Sequence, residues 1–374
     1  MSNLSHRERV LLAFNHQEAD RVPIDLMGNA SMILDRTYFK LKEYLGIKGD
    51  IAPIRKGTTA NYYDVRILEY FDIDFRRLFL PVSSIEKYSF ANDGTYVGPW
   101  GIEWSKSGIY VNNMRAPLAD ASLDEVVSYE WPDPYKLWHT DGLSEQARHL
   151  YKTTDYALVA RNPVTYGFLD RGCALRGMDQ FMLDLALHPE IVHLIVQGTL
   201  NVYKKVYEMF LEAVGPYVHM VEYGDDLGAQ NNLLISPETY REYIKPAQKE
   251  LFDLIRDKAP KAKIFMHSDG ALRKIIPDLI EVGVDVLNPI QPSAKGMESE
   301  ALKREFGSDL IFHGAVDQKP QEGTEEGIRE EVRRRIDALA KNGGFILAPG
   351  NVIVDPPLEN IVAMFDEAKH YGHY

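Results

Sequence analysis

From residue 156 to its end, this chain of 374 residues repeats one unit: a short apolar run, a polar stop, then a segment with helical period. Residues 263–269, KIFMHSD, show the unit most clearly. Ile264, Phe265 and Met266 are too few for a helix and leave no polar face, so they read as a strand buried on both sides, as in a parallel sheet covered by helices. His267 and Asp269 then stand at its carboxyl end, where α/β folds gather their chemistry. The same unit gives YALVA ending at Arg161, VHMVEY running into Gly224, Asp225 and Asp226, and VDVLNP ending at Asn288 and Gln291. It recurs in LIFHGAVD, with His313 and Asp317, and in GFILAPG, which ends at Asn351.

Two earlier runs complete the set: RVPID at 21–25, ending in Asp25, and FRRLFL at 75–80. Ser5 and Glu8 have the capping-box spacing ahead of Val10, Leu11 and Phe14, which predicts a helix over about 6–16 that closes one end of the fold. Short helices are expected near 38–44 and 61–71. Ser236 as N-cap and Pro237 at the first helical position predict a helix with Tyr240, Tyr243, Ile244, Ala247, Leu251 and Ile255 on one face. Residues 324–340 and 356–369 read the same way. Eight strands joined largely by helices close into a (β/α)8 barrel, so the expectation is one domain over residues 1–374. The alternation breaks over residues 81–155. There IEKYSF, TYVGPWGIEW and GIYVNN, split by Asn92-Asp93-Gly94 and Lys106-Ser107-Gly108, predict an antiparallel β insertion. The stretch with Trp131, Pro132, Pro134 and Trp138 predicts an ordered cover over one rim of the barrel.

Composition removes several classes of function. With 45% hydrophobic and 26% charged residues the chain is an ordinary globular protein, and no apolar run is long enough to span a bilayer. A net charge of -13 disfavours nucleic acid and anionic membrane, which call for clustered Lys and Arg. Cys173 is the sole cysteine, so neither an internal disulfide nor a thiolate metal cage can form. The opening MSNLSHRERV has no apolar core of a secretory signal, and the expected location is the cytoplasm.

The residues at the expected barrel mouth are Asp25, Arg161, Glu222, Asp225, Asp226, His267, Asp269, Asn288, Gln291, His313, Asp317 and Asn351. His267 and Asp269, two apart at a strand end, place two donors or ligands on the same side of the pleat. Plainer roles compete with chemistry elsewhere. In the plainer reading Asp225 or Asp226 only caps a turn, His313 is a satisfied core residue, and Asp317 anchors its own loop.

Four stretches carry a resemblance that covers nearly the whole chain: RERVLLAF with RVPID, HSDG followed by IIPDLIEVGVDVLNPIQ, LIFHGAVD, and GGFILAPGNVIVDPPLENIVAMF. In this order they resemble the uroporphyrinogen decarboxylase superfamily, which implies a single barrel. The superfamily holds the decarboxylases of haem synthesis and also cobalamin-dependent methyltransferases, among them the methyltransferase components of anaerobic O-demethylases. True decarboxylases carry an arginine-bearing segment of the RQAGR type for their carboxylate-rich substrate. Here LMGNASMILDR follows RVPID, with Asp35 and Arg36 as its only charges, which argues against uroporphyrinogen. The thiol-methylating branch holds zinc with His-x-Cys and a late Cys. In this chain the first Cys is replaced by Asp269 and the second falls near Asn351, so soft ligation is lost.

The resemblance therefore implies a methyltransferase that moves a methyl group between a small substrate (methoxyaromatic, methylamine-type or folate) and cobalamin on a separate corrinoid protein. His267, Asp269 and Asp226 are expected to supply a proton to the leaving group. Tyr223 and the aromatic insertion are expected to line an apolar pocket, with Arg161, Asn288, Gln291 and Asn351 orienting polar groups. A zinc site of His267, Asp269 and Glu222 stays chemically open; otherwise His267 and Asp269 bind or protonate substrate directly. The alternatives are a decarboxylase of a porphyrinogen or other carboxylated substrate, with Asp25 or Asp226 stabilising a pyrrole-like cation, and a barrel that binds without catalysis. The oligomeric state leaves no legible trace.

Overall fold

The computed structural model describes residues 4–83, 90–91, 93–108 and 110–374. Its strands are β1 (Phe75–Leu78), β2 (Thr95–Val97), β3 (Glu103–Ser107), β4 (Tyr110–Arg115), β5 (Ala157–Ala160), β6 (Met220–Gly224), β7 (Lys263–His267), β8 (Val286–Asn288), β9 (Ile311–Val316) and β10 (Phe345–Pro349). Seven of them form one parallel sheet in the order β1-β5-β6-β7-β8-β9-β10, and β2, β3 and β4 form a separate antiparallel sheet. Every residue of β1, β5, β6, β9 and β10 is buried, as continuous apolar runs require when both faces are covered.

The parallel sheet is curled. Its inner residues, including Phe75, Val159, Met220, Phe265, Val286, Ile311 and Ile346, share one apolar cluster with Val10 and Phe14. Those last two belong to the helix His6–Phe14, whose Ser5–Glu8 capping box is present as expected. Below this plug, Asp74 is fully buried and binds Arg9, Arg21, His6 and the Ile24 N–H. Burial alone would raise that carboxyl, but His6 and the two guanidinium groups hold it below its usual range.

Residues 21–25 do not form the first strand that was expected. They make a single parallel bridge, Ile24 to Leu347, with Asp25 N–H on Leu347 O at 2.9 Å and Leu347 N–H on Pro23 O at 2.9 Å. Pro23 has no N–H, so the ladder cannot extend in the direction that would need it. On its other side Ile24 O accepts from Asp74 N–H at 3.1 Å, next to β1.

In the interval 81–155 the antiparallel sheet spans only 95–115, and the rest contains helices Leu123–Val127, Pro134–Leu137 and Leu143–Thr153 that the β reading did not anticipate. IEKYSF falls on residues 85–90, of which 85–89 lie outside the described residues, as does Asn92 of the first turn. Trp100 packs edge-on against Trp131 and Tyr203, which docks the insertion onto the long helix Pro189–Val214. The helix started by Ser236 contains Pro246. A widened π turn at Tyr240–Ile244 absorbs the missing N–H before Lys245–Lys258 continues. Among the described residues no helix is long and apolar enough to cross a membrane.

Candidate active site

The carboxyl ends of the parallel strands bring together one connected set of polar side chains. At its floor Arg77 is fully buried and forks onto both oxygens of Asp25, at 2.9 and 2.6 Å, while its Nε donates to Glu222 at 3.0 Å. Burial would raise Asp25, yet Arg77 and a hydrogen bond from His313 outweigh it and hold the carboxyl well below the usual carboxylate range. Asp25 is therefore ionised and can only accept, so Nε2 of His313, 2.9 Å away, donates to it. Nδ1 of His313 then accepts from Nδ2 of Asn288 at 2.9 Å, which leaves Oδ1 of Asn288 to accept from Nδ1–H of His267 at 2.7 Å. These proton positions follow from the hydrogen-bond network.

The consequence reaches the mouth of the site. Nδ1 of His267 is spent on Asn288, so Nε2 is the nitrogen that faces the mouth, 3.6 Å from Asp226 and 3.9 Å from Asp269. Ligand atoms of Asp226, His267 and Asp269 all lie within 4.8 Å of one another. Asp226 also takes the Asp269 N–H at 3.0 Å, and Asn351 donates to Asp269 at 2.8 Å. Burial pushes the Asp269 carboxyl up; His267 opposes that, and Asp226 adds to it. A proton or a small cation at this point would meet one nitrogen and two carboxylates, a hard N/O donor set suited to a divalent ion.

Several expected residues have other positions. Glu222 does not join His267 and Asp269 as a metal ligand: it is fully buried on Arg77 and faces Arg161 at 3.4 Å, spent on cations beneath the mouth. Tyr223 lines no pocket at the mouth. It alternates to the outer face and packs on Phe252 and Phe168, because neighbouring strand residues point to opposite faces. Asp25 and His313 are buried below the cavity and reach it only through Asn288. Asp225 caps a helix, accepting the N–H groups of Phe168, Leu169 and Asp170 at the start of Phe168–Arg176. Asp317 caps Gln318–Gln321 and, with Asp269, Gln291 and Asn351, lines a small cavity at the mouth. Gln291 also accepts the Gly270 N–H at 2.9 Å.

Sequence reasoning passed over four residues. Arg77 was visible as a charged pair with Arg76 inside an otherwise apolar strand, a placement that demands buried partners. Asn29 receives Arg161, and its position in an irregular loop gave no signal. Asp170 packs beside Asp225 and donates nothing to it; instead it accepts the Asp226 N–H at 3.0 Å. Burial raises both carboxyls, but three backbone donors favour the Asp225 anion, so Asp170 keeps the proton. Arg171 lines a second, aromatic cavity.

Comparison with known proteins gives the family of the chain. The curated relatives include uroporphyrinogen decarboxylases from Microcystis aeruginosa, 22% identical over 48% of this chain and 52% of that protein, and from Prochlorococcus marinus, 24% identical over 44% and 47%. This chain thus spans about half the length of the curated relatives it matches. Among solved structures, a methyltransferase from Methanosarcina mazei superposes with a TM-score of 0.69 at 15% identity, covering 99% of both chains, which shows a shared fold. The family profile of uroporphyrinogen decarboxylase (URO-D) matches residues 160–371, more than half of the chain and all the strands from β6 to β10 that carry the His267 cluster, so this chain belongs to the uroporphyrinogen decarboxylase family.

Proposed function

We propose that this protein is a methyltransferase that moves a methyl group between a small substrate, a methoxyaromatic in preference to a methylamine-type compound or a folate, and cobalamin on a separate corrinoid protein in the cytoplasm. One observation carries the reading: the charge of the mouth. Asp226 and Asp269 stand at it, while Arg77 and Arg161 beneath it are consumed by Asp25, Glu222 and Asn29. A polycarboxylate such as uroporphyrinogen would find few free cations and several like charges. The fold of the Methanosarcina methyltransferase supports the same branch. In this reading residues 21–25, without forming a regular strand, take the eighth position and close the sheet into a (β/α)8 barrel, supported by their bonds to β10 and to Asp74.

The residues divide the work by position. Asn288, held by His313 and Asp25, fixes the His267 ring so that Nε2 faces the mouth. Asp226, His267 and Asp269 are placed to pass a proton to the oxygen or nitrogen that leaves as its methyl group is removed. If a divalent ion such as zinc binds, Asp226, His267 and Asp269 are the side chains that would hold it, and it would supply Lewis acidity to that same leaving atom. The corrinoid supplies the cobalt that exchanges the methyl group, and the protein orients the substrate against it. The test is direct: purified protein, chemically reduced cobalamin and a panel of methoxyarenes, with methylcobalamin followed by its absorbance. Substrate-dependent methylcobalamin supports the reading. Coproporphyrinogen formation from uroporphyrinogen at a comparable rate, with no methyl transfer, overturns it in favour of the decarboxylase.

A further inference from the structure

Between the antiparallel insertion and the loop after β5 lies a cavity of about 380 Å3, within the range of small-molecule sites. Its walls are aromatic: Tyr96, Trp100, Trp104, Trp138 and Tyr166. Arg171 completes the lining and is 4% exposed. Its Nε donates to the Tyr203 hydroxyl at 3.1 Å and its Nη2 to Val164 O at 3.0 Å, while its carbon centre lies 4.2 Å from the Trp100 ring and 5.1 Å from the Tyr166 ring. These contacts fix the guanidinium without neutralising it. The other buried arginines Arg9, Arg21, Arg77, Arg161, Arg176 and Arg335 each meet a carboxylate within 4.0 Å; among the described residues Arg171 meets none, and its Nη1 has no acceptor. Asp170, its neighbour in sequence, makes no ion pair with it and instead accepts the Asp226 N–H at 3.0 Å. Arg76 also lacks a carboxylate, but it gives Nη1 to Ile73 O and Phe75 O, stacks on Tyr156, and lines no such cavity.

A rigid cation without a counter-ion, set in the aromatic wall of an open cavity, is a site awaiting an anion. The cavity also adjoins the chemistry. Its lining residues Pro163, Val164, Thr165 and Tyr166 follow directly on Arg161 and Asn162 at the end of β5 and lead to Phe168, whose N–H Asp225 accepts at 2.9 Å. We propose that this cavity binds a planar aromatic carboxylate, its ring among Trp100, Trp104 and Tyr166 and its carboxylate on the Nη1 edge of Arg171. The proposal narrows the methoxyaromatic class to methoxybenzoates and rests on the methyl-transfer reading only for what happens to the ring once bound.

Three of the four tryptophans line the cavity, so binding reports itself as quenching of intrinsic fluorescence. The probes are 4-methoxybenzoate and its neutral near-isostere 4-methoxybenzyl alcohol, titrated into the full-length protein. The benzoate should quench saturably and bind at least about tenfold more tightly than the alcohol, the factor expected from one buried charge-assisted hydrogen bond. Arg171→Met should abolish that preference and leave the affinity for the alcohol unchanged. Arg171→Lys, which keeps the charge and loses the planar fork, should restore part of it. Equal affinity of the two probes for the wild type overturns the proposal, and this comparison stands even if the Arg171 variants do not fold. Preferential benzoate binding without methyl transfer to cobalamin upholds the subsite and removes the methyl-transfer reading. Methyl transfer from neutral methoxyarenes, with no preference for the benzoate, does the reverse.

Discussion

Asn288→Leu tests the linkage between the buried Asp25 and the exposed edge of His267. The substitution keeps side-chain size at a position that is 2% exposed and deletes both hydrogen bonds, to His313 Nδ1 and from His267 Nδ1. Each nitrogen left unpaired in the interior costs about 1–3 kcal/mol. His313 is sealed and should fall at the upper end; the His267 side chain is 12% exposed, can take up water, and should fall at the lower end. The expected loss is therefore about 4 kcal/mol, read as a shift in the urea midpoint at constant slope. The second consequence is chemical. Without an acceptor for Nδ1–H, His267 loses the bond that fixes its ring and its Nδ1 hydrogen, and Nε2 is no longer held between Asp226 and Asp269. Loss of such a supporting partner typically costs 10–100-fold in activity or metal affinity. Two-dimensional NMR of protein labelled with nitrogen-15 at histidine, assigned by the peak missing in His267→Gln, reads the tautomer in wild type and variant. The reasoning fails if His267 keeps the Nδ1–H form in Asn288→Leu, or if the variant is as stable as the wild type.

Three other perturbations separate catalytic from structural roles. His267→Ala should lose on the order of a hundredfold or more in turnover with little change in melting temperature, since the ring sits at the mouth; an active variant of lowered stability would make it a core residue instead. Asp170 is pushed up by burial, then by Asp225 and Asp226, so the folded protein keeps a proton that the unfolded chain releases near pH 4. Stability from this group is thus full below about pH 4 and declines as pH rises through its folded pKa, and Asp170→Asn should gain on the wild type between about pH 5 and pH 8 in urea midpoints. Gly167 lets Asp225 reach the helix start, because a Cβ there would lie 2.1 Å from Asp225 Cβ and 2.2 Å from its Cγ. Gly167→Ala should cost about 1–3 kcal/mol in chemical denaturation, and a neutral result would mean that the helix start can shift away from Asp225.

The sequence by itself determined the parallel strands and the ends at which polar residues gather. Apolar runs such as Ile264 to Met266 have no polar face and can only be strands buried on both sides, and the residue that stops each run then falls at the carboxyl edge. It also determined the amino-terminal plug, because the Ser5–Glu8 capping box and the apolar positions Val10 and Phe14 are local signals. Only the tertiary structure decided which gathered residues touch. Glu222 was expected beside His267 as a metal ligand and Asp226 as a proton donor, but the buried cations Arg77 and Arg161 hold Glu222 beneath the mouth and Asp226 takes the place at His267. His313 and Asn288, 25 residues apart, became one relay because β8 and β9 are neighbours, a pairing no local pattern encodes. Arg171 gave no sign of its role in sequence. A guanidinium becomes a site when the chain packs aromatic rings around it and brings no carboxylate to meet it, and that depends on distances between segments far apart along the chain.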